Sequence, residues 1–151
     1  MRISTIWMSP AALKVVLQGL ATPERAEPCG ALLGYRVPLG IEVVEAVRLK
    51  NVHPSPDRAF LLEPAAILET GRAAHAKALD VVGFWHGHRE GPAWPGMLDE
   101  EGMRGAQLDG LQPYVHVVAG RGTTGKPVVR GFRQGRACHF RIRPGGDRGG
   151  M

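Results

Sequence analysis

Apolar residues recur along the chain in two rhythms, and these divide it into elements. Leu13, Val16, Leu17 and Leu20 repeat at i, i+3, i+4 and i+7, which lays one apolar stripe along a helix. Ser9 and Pro10 precede them as N-cap and first helical residue, and the stripe runs out near ATPERAE. Cys29–Tyr35 and Ile41–Leu49 are apolar runs separated by a Pro-Leu-Gly turn, which predicts a β-hairpin. Two prolines make NVHPSPDR (51–58) a loop. Phe60–Leu62 reads as a short strand. Pro64 then opens a second helix through Asp80, with Ile67, Gly71, Ala74 and Ala78 on one face. Val81–His88 is expected to be a buried strand ending in a pair of histidines. A helix over Met97–Leu108 and strands over Tyr114–Ala119, Val128–Phe132 and Ala137–Ile142 complete the reading.

This order of elements predicts an α+β fold, a mixed β-sheet sandwiched by helices. One domain over 1–143 is expected, with 144–151 a disordered tail. The 44% hydrophobic content is that of an ordinary globular protein. No apolar run approaches the ~20 residues of a membrane span, and the N-terminus lacks the apolar core of a signal peptide. Cys29 and Cys138 are isolated, which predicts reduced thiols in a cytoplasmic protein. Oligomeric state is left open, a homodimer included.

Charge is unevenly placed. The net +5 lies wholly beyond residue 129, where six arginines (130, 133, 136, 141, 143 and 148) face Asp147 alone. That segment offers a basic face for an acidic partner. It carries neither aromatic interleaving nor a nucleic-acid motif, so no nucleic acid is expected.

The candidate chemistry sits in HGHREGPAWPGMLD, residues 86–99. On a strand, residues i and i+2 share a face, so His86 and His88 can aim both imidazoles at one point. Asp99, eleven residues on, can return a carboxylate to it. Two nitrogens and one carboxylate oxygen suit zinc, whose catalytic sites keep a fourth position for water. Such chemistry usually needs a general base that is not a ligand, and Glu27, at the junction before CGALLG, is the best placed. Rival chemistries fail on their own terms. HRE opens like a zinc deaminase, but only Cys138 follows where that site needs two thiolates. HExxH, GxSxG and a Walker loop are all absent.

The same stretch resembles the signature of the JAMM (MPN-domain) metallopeptidases: His-x-His, seven residues, Ser, two residues, Asp. The resemblance extends to PERAEPCGALLG, FLLEPAAI, VVGFWHGH, YVHVVAG and VVRGF, covering roughly residues 5–142. It implies the cytidine-deaminase-like α/β/α fold of that family and one zinc per chain held by His86, His88 and Asp99. It also implies that Glu27 takes a proton from the attacking water and later hands it to the leaving amine. The implied activity is that of a peptidase or isopeptidase. Its implied partner is a ubiquitin-like protein or sulfur carrier whose extended Gly-Gly tail threads past the metal. Trp94, Arg89 and His53 are candidates for lining that groove.

The chain departs from the family at the oxyanion position, where the usual Ser is Gly96. Losing one oxyanion donor can cost about 10²–10³ in rate. Gly87 and Arg89 also replace the usual Ser and Pro around the second histidine. The alternative expectation is therefore a metal-bound but catalytically weak protein-binding module of the MPN type.

Overall fold

The computed structural model describes residues 5–93, 114–134 and 136–143. Seven strands and two helices lie among these residues: β1 (Thr5–Met8), α1 (Pro10–Ala21), β2 (Cys29–Val37), β3 (Gly40–Leu49), α2 (Pro64–Ala76), β4 (Asp80–Gly87), β5 (Val115–Arg121), β6 (Pro127–Arg133) and β7 (Arg136–Ile142). The fold is α+β with one mixed sheet, as expected. The helix expected over Met97–Leu108 lies outside the described residues.

The sheet runs β1-β3-β2-β4-β5-β6-β7 and closes, because β1 pairs in parallel with both β3 and β7. Closure is the main departure from the sandwich expected. It is made by a strand the sequence reading passed over, whose four residues turn only Ile6 and Met8 inward. Phe60–Leu62 is not a strand. The second helix stops at Ala76 rather than Asp80, since Ala78 is left-handed at φ 60° and Asp80 already opens β4.

Each helix takes its own face of the sheet. Ala12, Val16 and Leu20 of α1 pack with Ile6, Leu32, Ile41, Val43, Val82, Trp85 and Val117. Ala74 of α2 packs with Ala31, Leu33 and Leu79. Successive residues Ala31, Leu32 and Leu33 thus serve opposite cores, the alternation a strand imposes. Ser9 caps α1 by accepting from Ala12 N at 3.0 Å, and its hydroxyl donates to the Val44 carbonyl at 2.7 Å.

Trp85, fully buried, anchors the centre. Its indole N–H donates to the Val47 carbonyl at 3.2 Å. Only glycine fits beneath that bond: a Cβ on Gly30 would stand 2.7 Å from the indole nitrogen and 1.8 Å from the Val47 oxygen. None of the described helices is long and apolar enough to cross a membrane.

Candidate metal centre

With Trp85 turned into the α1 core, its neighbour His86 faces the opposite side of the sheet, in register with Cys29 on β2 and Val118 on β5. Just past the end of β4, His88 donates its backbone N–H to the Ala119 carbonyl at 2.8 Å. The turn after it packs directly on β5, where a Cβ on Gly120 would lie 2.6 Å from Ala93 N and 2.8 Å from the Gly91 oxygen. That packing brings the Pro92 carbonyl to 2.9 Å from His88 Nδ1. A carbonyl only accepts, so Nδ1 carries the ring proton and Nε2 keeps its lone pair.

The Nε2 atoms of His86 and His88 are 3.1 Å apart. Nitrogens bound to one zinc at 2.0–2.1 Å in tetrahedral geometry would be about 3.3 Å apart, close to the separation of this pair. Glu27, 7% exposed, brings its carboxylate to the same place, and ligand atoms of Glu27, His86 and His88 all lie within 4.8 Å of one another. The structure therefore brings three of the residues singled out from sequence together. Asp99, Gly96 and Trp94 lie outside the described residues.

Glu27 is set by its backbone. Its N–H donates to the Pro56 carbonyl at 2.6 Å, and its carbonyl accepts from Asn51 Nδ2 at 3.1 Å. Asn51 also donates to the carbonyls of Pro56 and Ala59, and accepts from the backbone N–H groups of His53 and Leu61. One side chain thus ties the 51–61 loop to the segment carrying the acid. That loop delivers Phe60, whose ring stacks on His86 with centroids 4.5 Å apart and planes 17° apart.

Three contributors escaped the sequence reading. Asn51 looked like loop polarity, and Phe60 like a strand residue. His116 lies in the strand expected over Tyr114–Ala119 and carried no functional reading, yet its Nε2 lies 2.9 Å from His86 Nδ1 and it is 6% exposed. The signal available was a polar residue inside the apolar run VHVV.

Two of the groove candidates lie among the described residues. His53 is half-buried, and its Nδ1 accepts from the Ser55 N–H at 2.9 Å. Arg89 is turned back onto the protein. Its Nε donates to Ala26 O at 2.9 Å, and Nη1 donates to the carbonyls of Gly19, Leu20 and Thr22 at the end of α1. Its side chain is 17% exposed, and burial, then Arg48, pushes its pKa down. Arg89 thus ties the helix end to the residue preceding Glu27.

Cys29 is buried beside the centre, its thiol 3.7 Å from the Leu49 carbonyl. Burial, against the opposing charge of Arg48 and with a smaller push from Glu27, raises its pKa to about 12, so it offers no thiolate nucleophile near neutrality. On β7, Arg136 and Arg141 are exposed; just past its end, Arg143 reaches the Glu42 carboxylate at 3.6 Å and lies over the Trp7 ring at 5.1 Å.

Two histidines and a buried glutamate meeting at the sheet define a candidate metal centre. The chain matches the family described as prokaryotic homologs of the JAB domain over residues 10–133, and it belongs to that family. The "Probable TtuB-protein conjugate cleaving protease" of Thermus thermophilus is 40% identical over 58 residues, covering 38% of this chain and 39% of that protein. The matched stretch thus spans well under half of that relative. The solution structure of protein DSY2949 from Desulfitobacterium hafniense superposes with a TM-score of 0.76 at 20% identity, covering 93% of this chain and 94% of that one. At that identity it speaks for the fold alone.

Proposed function

We propose that this protein is a cytoplasmic, zinc-dependent peptidase or isopeptidase that hydrolyses the amide bond after the Gly-Gly tail of a ubiquitin-like protein or sulfur carrier. The observation that carries the reading is the meeting of Glu27, His86 and His88 within 4.8 Å, from segments some 60 residues apart, in a chain of the JAB family. The relative whose name describes cleavage of TtuB conjugates supports the choice of substrate.

In this reading His86, His88 and Asp99 would hold one zinc ion. When bound, the ion supplies a Lewis acid that polarises a carbonyl and lowers the pKa of water toward about 7. The chain's own residues do the rest. Glu27 takes a proton from the attacking water as its oxygen bonds to the terminal glycine carbonyl carbon. When the C–N bond breaks, Glu27 returns that proton to the leaving amine, so the products are a free Gly-Gly carboxylate and an amine. Phe60 keeps the His86 ring in plane, and Asn51 keeps Glu27 in reach. In this reading Trp94, His53 and Arg89 would line the groove for an extended tail, though Arg89 also closes α1.

The test is incubation of zinc-loaded protein with a Gly-Gly-tailed ubiquitin-like carrier bearing a C-terminal extension, read by mass spectrometry. Release of the carrier at its second glycine, abolished by chelator, supports the reading. An intact substrate contradicts it. Gly96 favours a second reading, a metal-bound module that recognises the tail but turns over weakly. Activity appearing only in Gly96→Ser would select that alternative.

A further inference from the structure

We infer that His116 is a positioning residue for the metal centre: its Nε2 accepts the Nδ1–H of His86 and so leaves His86 Nε2 unprotonated for the ion. The inference rests on the zinc reading above. A neutral imidazole carries one N–H. An ion held by His86 Nε2 takes that nitrogen's lone pair, which puts the ring proton on Nδ1. A buried N–H needs an acceptor, and His116 Nε2 stands 2.9 Å away.

The two ligand histidines are held differently. His88 Nδ1 faces the Pro92 carbonyl, which can only accept, so its tautomer is locked. His86 faces another imidazole, and the hydrogen bond between them can run either way. With the His116 proton on Nε2, the bond reverses and the His86 proton moves to Nε2, aimed at His88 Nε2 3.1 Å off. That arrangement excludes the ion. His116 protonated on Nδ1 gives the other arrangement and admits it. The Phe60 ring, stacked on His86 and tilted 45° over His116 at 5.4 Å, holds both planes for the exchange. Partners that accept from a ligating histidine raise its basicity, and removing one typically weakens metal binding 10- to 100-fold.

Zinc affinity would be measured by competition with a chromophoric chelator for wild type, His116→Met and His116→Gln. Gln places a carbonyl oxygen near the position of Nε2, whereas Met fills the space without a comparable acceptor. His116→Met should bind zinc about 10- to 100-fold more weakly and His116→Gln within about 3-fold of wild type. Equal affinity in His116→Met, or a Gln protein as weak as the Met protein, overturns the inference. Long-range ¹H–¹⁵N correlations of the zinc-loaded wild type give a readout that no variant's folding can spoil. They should show His86 protonated at Nδ1 and ligated at Nε2, and His86 ligated through Nδ1 would overturn the inference. Wild type that binds no zinc at all brings down the proposed function itself. Zinc-binding wild type with an unaffected Met variant brings down only the role of His116.

Discussion

The Nε2 atoms of His86 and His88 face each other across 3.1 Å, with the His88 proton fixed on its far nitrogen by the Pro92 carbonyl. A nitrogen–nitrogen separation of that size suits either a shared proton or a shared cation. An ion held there, as proposed, would bind the folded arrangement of the two rings and not the unfolded chain.

Zinc should therefore raise thermal stability. A ligand at 100 times its Kd adds about 2.7 kcal/mol, which for a chain of this length means roughly 5–10 °C in Tm. Differential scanning fluorimetry with zinc and with chelator measures it. His88→Ala should abolish the zinc-dependent rise.

Arg89 predicts a stability effect at a distance from the chemistry. It closes the carbonyls of Gly19, Leu20 and Thr22 and holds Ala26. Arg89→Met should cost about 2–3 kcal/mol, the range for a charged donor removed from carbonyls it satisfies. Arg89→Lys should recover little, because one ammonium cannot replace the planar fork. Urea denaturation of the three proteins decides it.

Asn51 predicts a catalytic effect without touching substrate. Freeing the 51–61 loop from the Glu27 carbonyl should misplace the acid, and kcat/KM should fall roughly 10- to 100-fold. Asn51→Asp should do no better than Asn51→Ala, since it keeps an acceptor but turns a carboxylate toward three carbonyls. Steady-state kinetics on a carrier fusion test both.

Cys29 predicts the alkaline limb of stability. Its folded pKa, about 12, lies above the unfolded value near 9, so between those values the native state binds the extra proton. Its contribution is fully present below about pH 9 and is lost as pH rises toward 12. Wild type should lose stability over that window relative to Cys29→Ala, and denaturation series from pH 8 to 11 compare them.

The elements positioning the site were legible wherever a pattern was long. The Ser9-Pro10 cap and stripe gave α1, the Pro-Leu-Gly turn gave β2 and β3, and the apolar run into HGH gave β4. What escaped was set by tertiary contact rather than period. β1 is four residues long, and its meaning comes from pairing with a strand more than 130 residues away. Asn51 and Phe60 sit in irregular backbone, where no periodicity reports a hydrogen-bond hub or a ring stack. Arg89 read as a groove candidate because it follows the histidines in a polar loop, and nothing local points to its structural role. Its carbonyl partners lie some 70 residues earlier.

The most direct test of the central claim is the behaviour of Glu27→Gln loaded with zinc to the same occupancy as wild type. General-base catalysis contributes about 10²–10⁴-fold, so cleavage of the carrier fusion should fall by that factor while zinc affinity stays within a few-fold. Undiminished cleavage would contradict Glu27 as the proton carrier. Zinc affinity lost together with activity would mark Glu27 as a ligand instead.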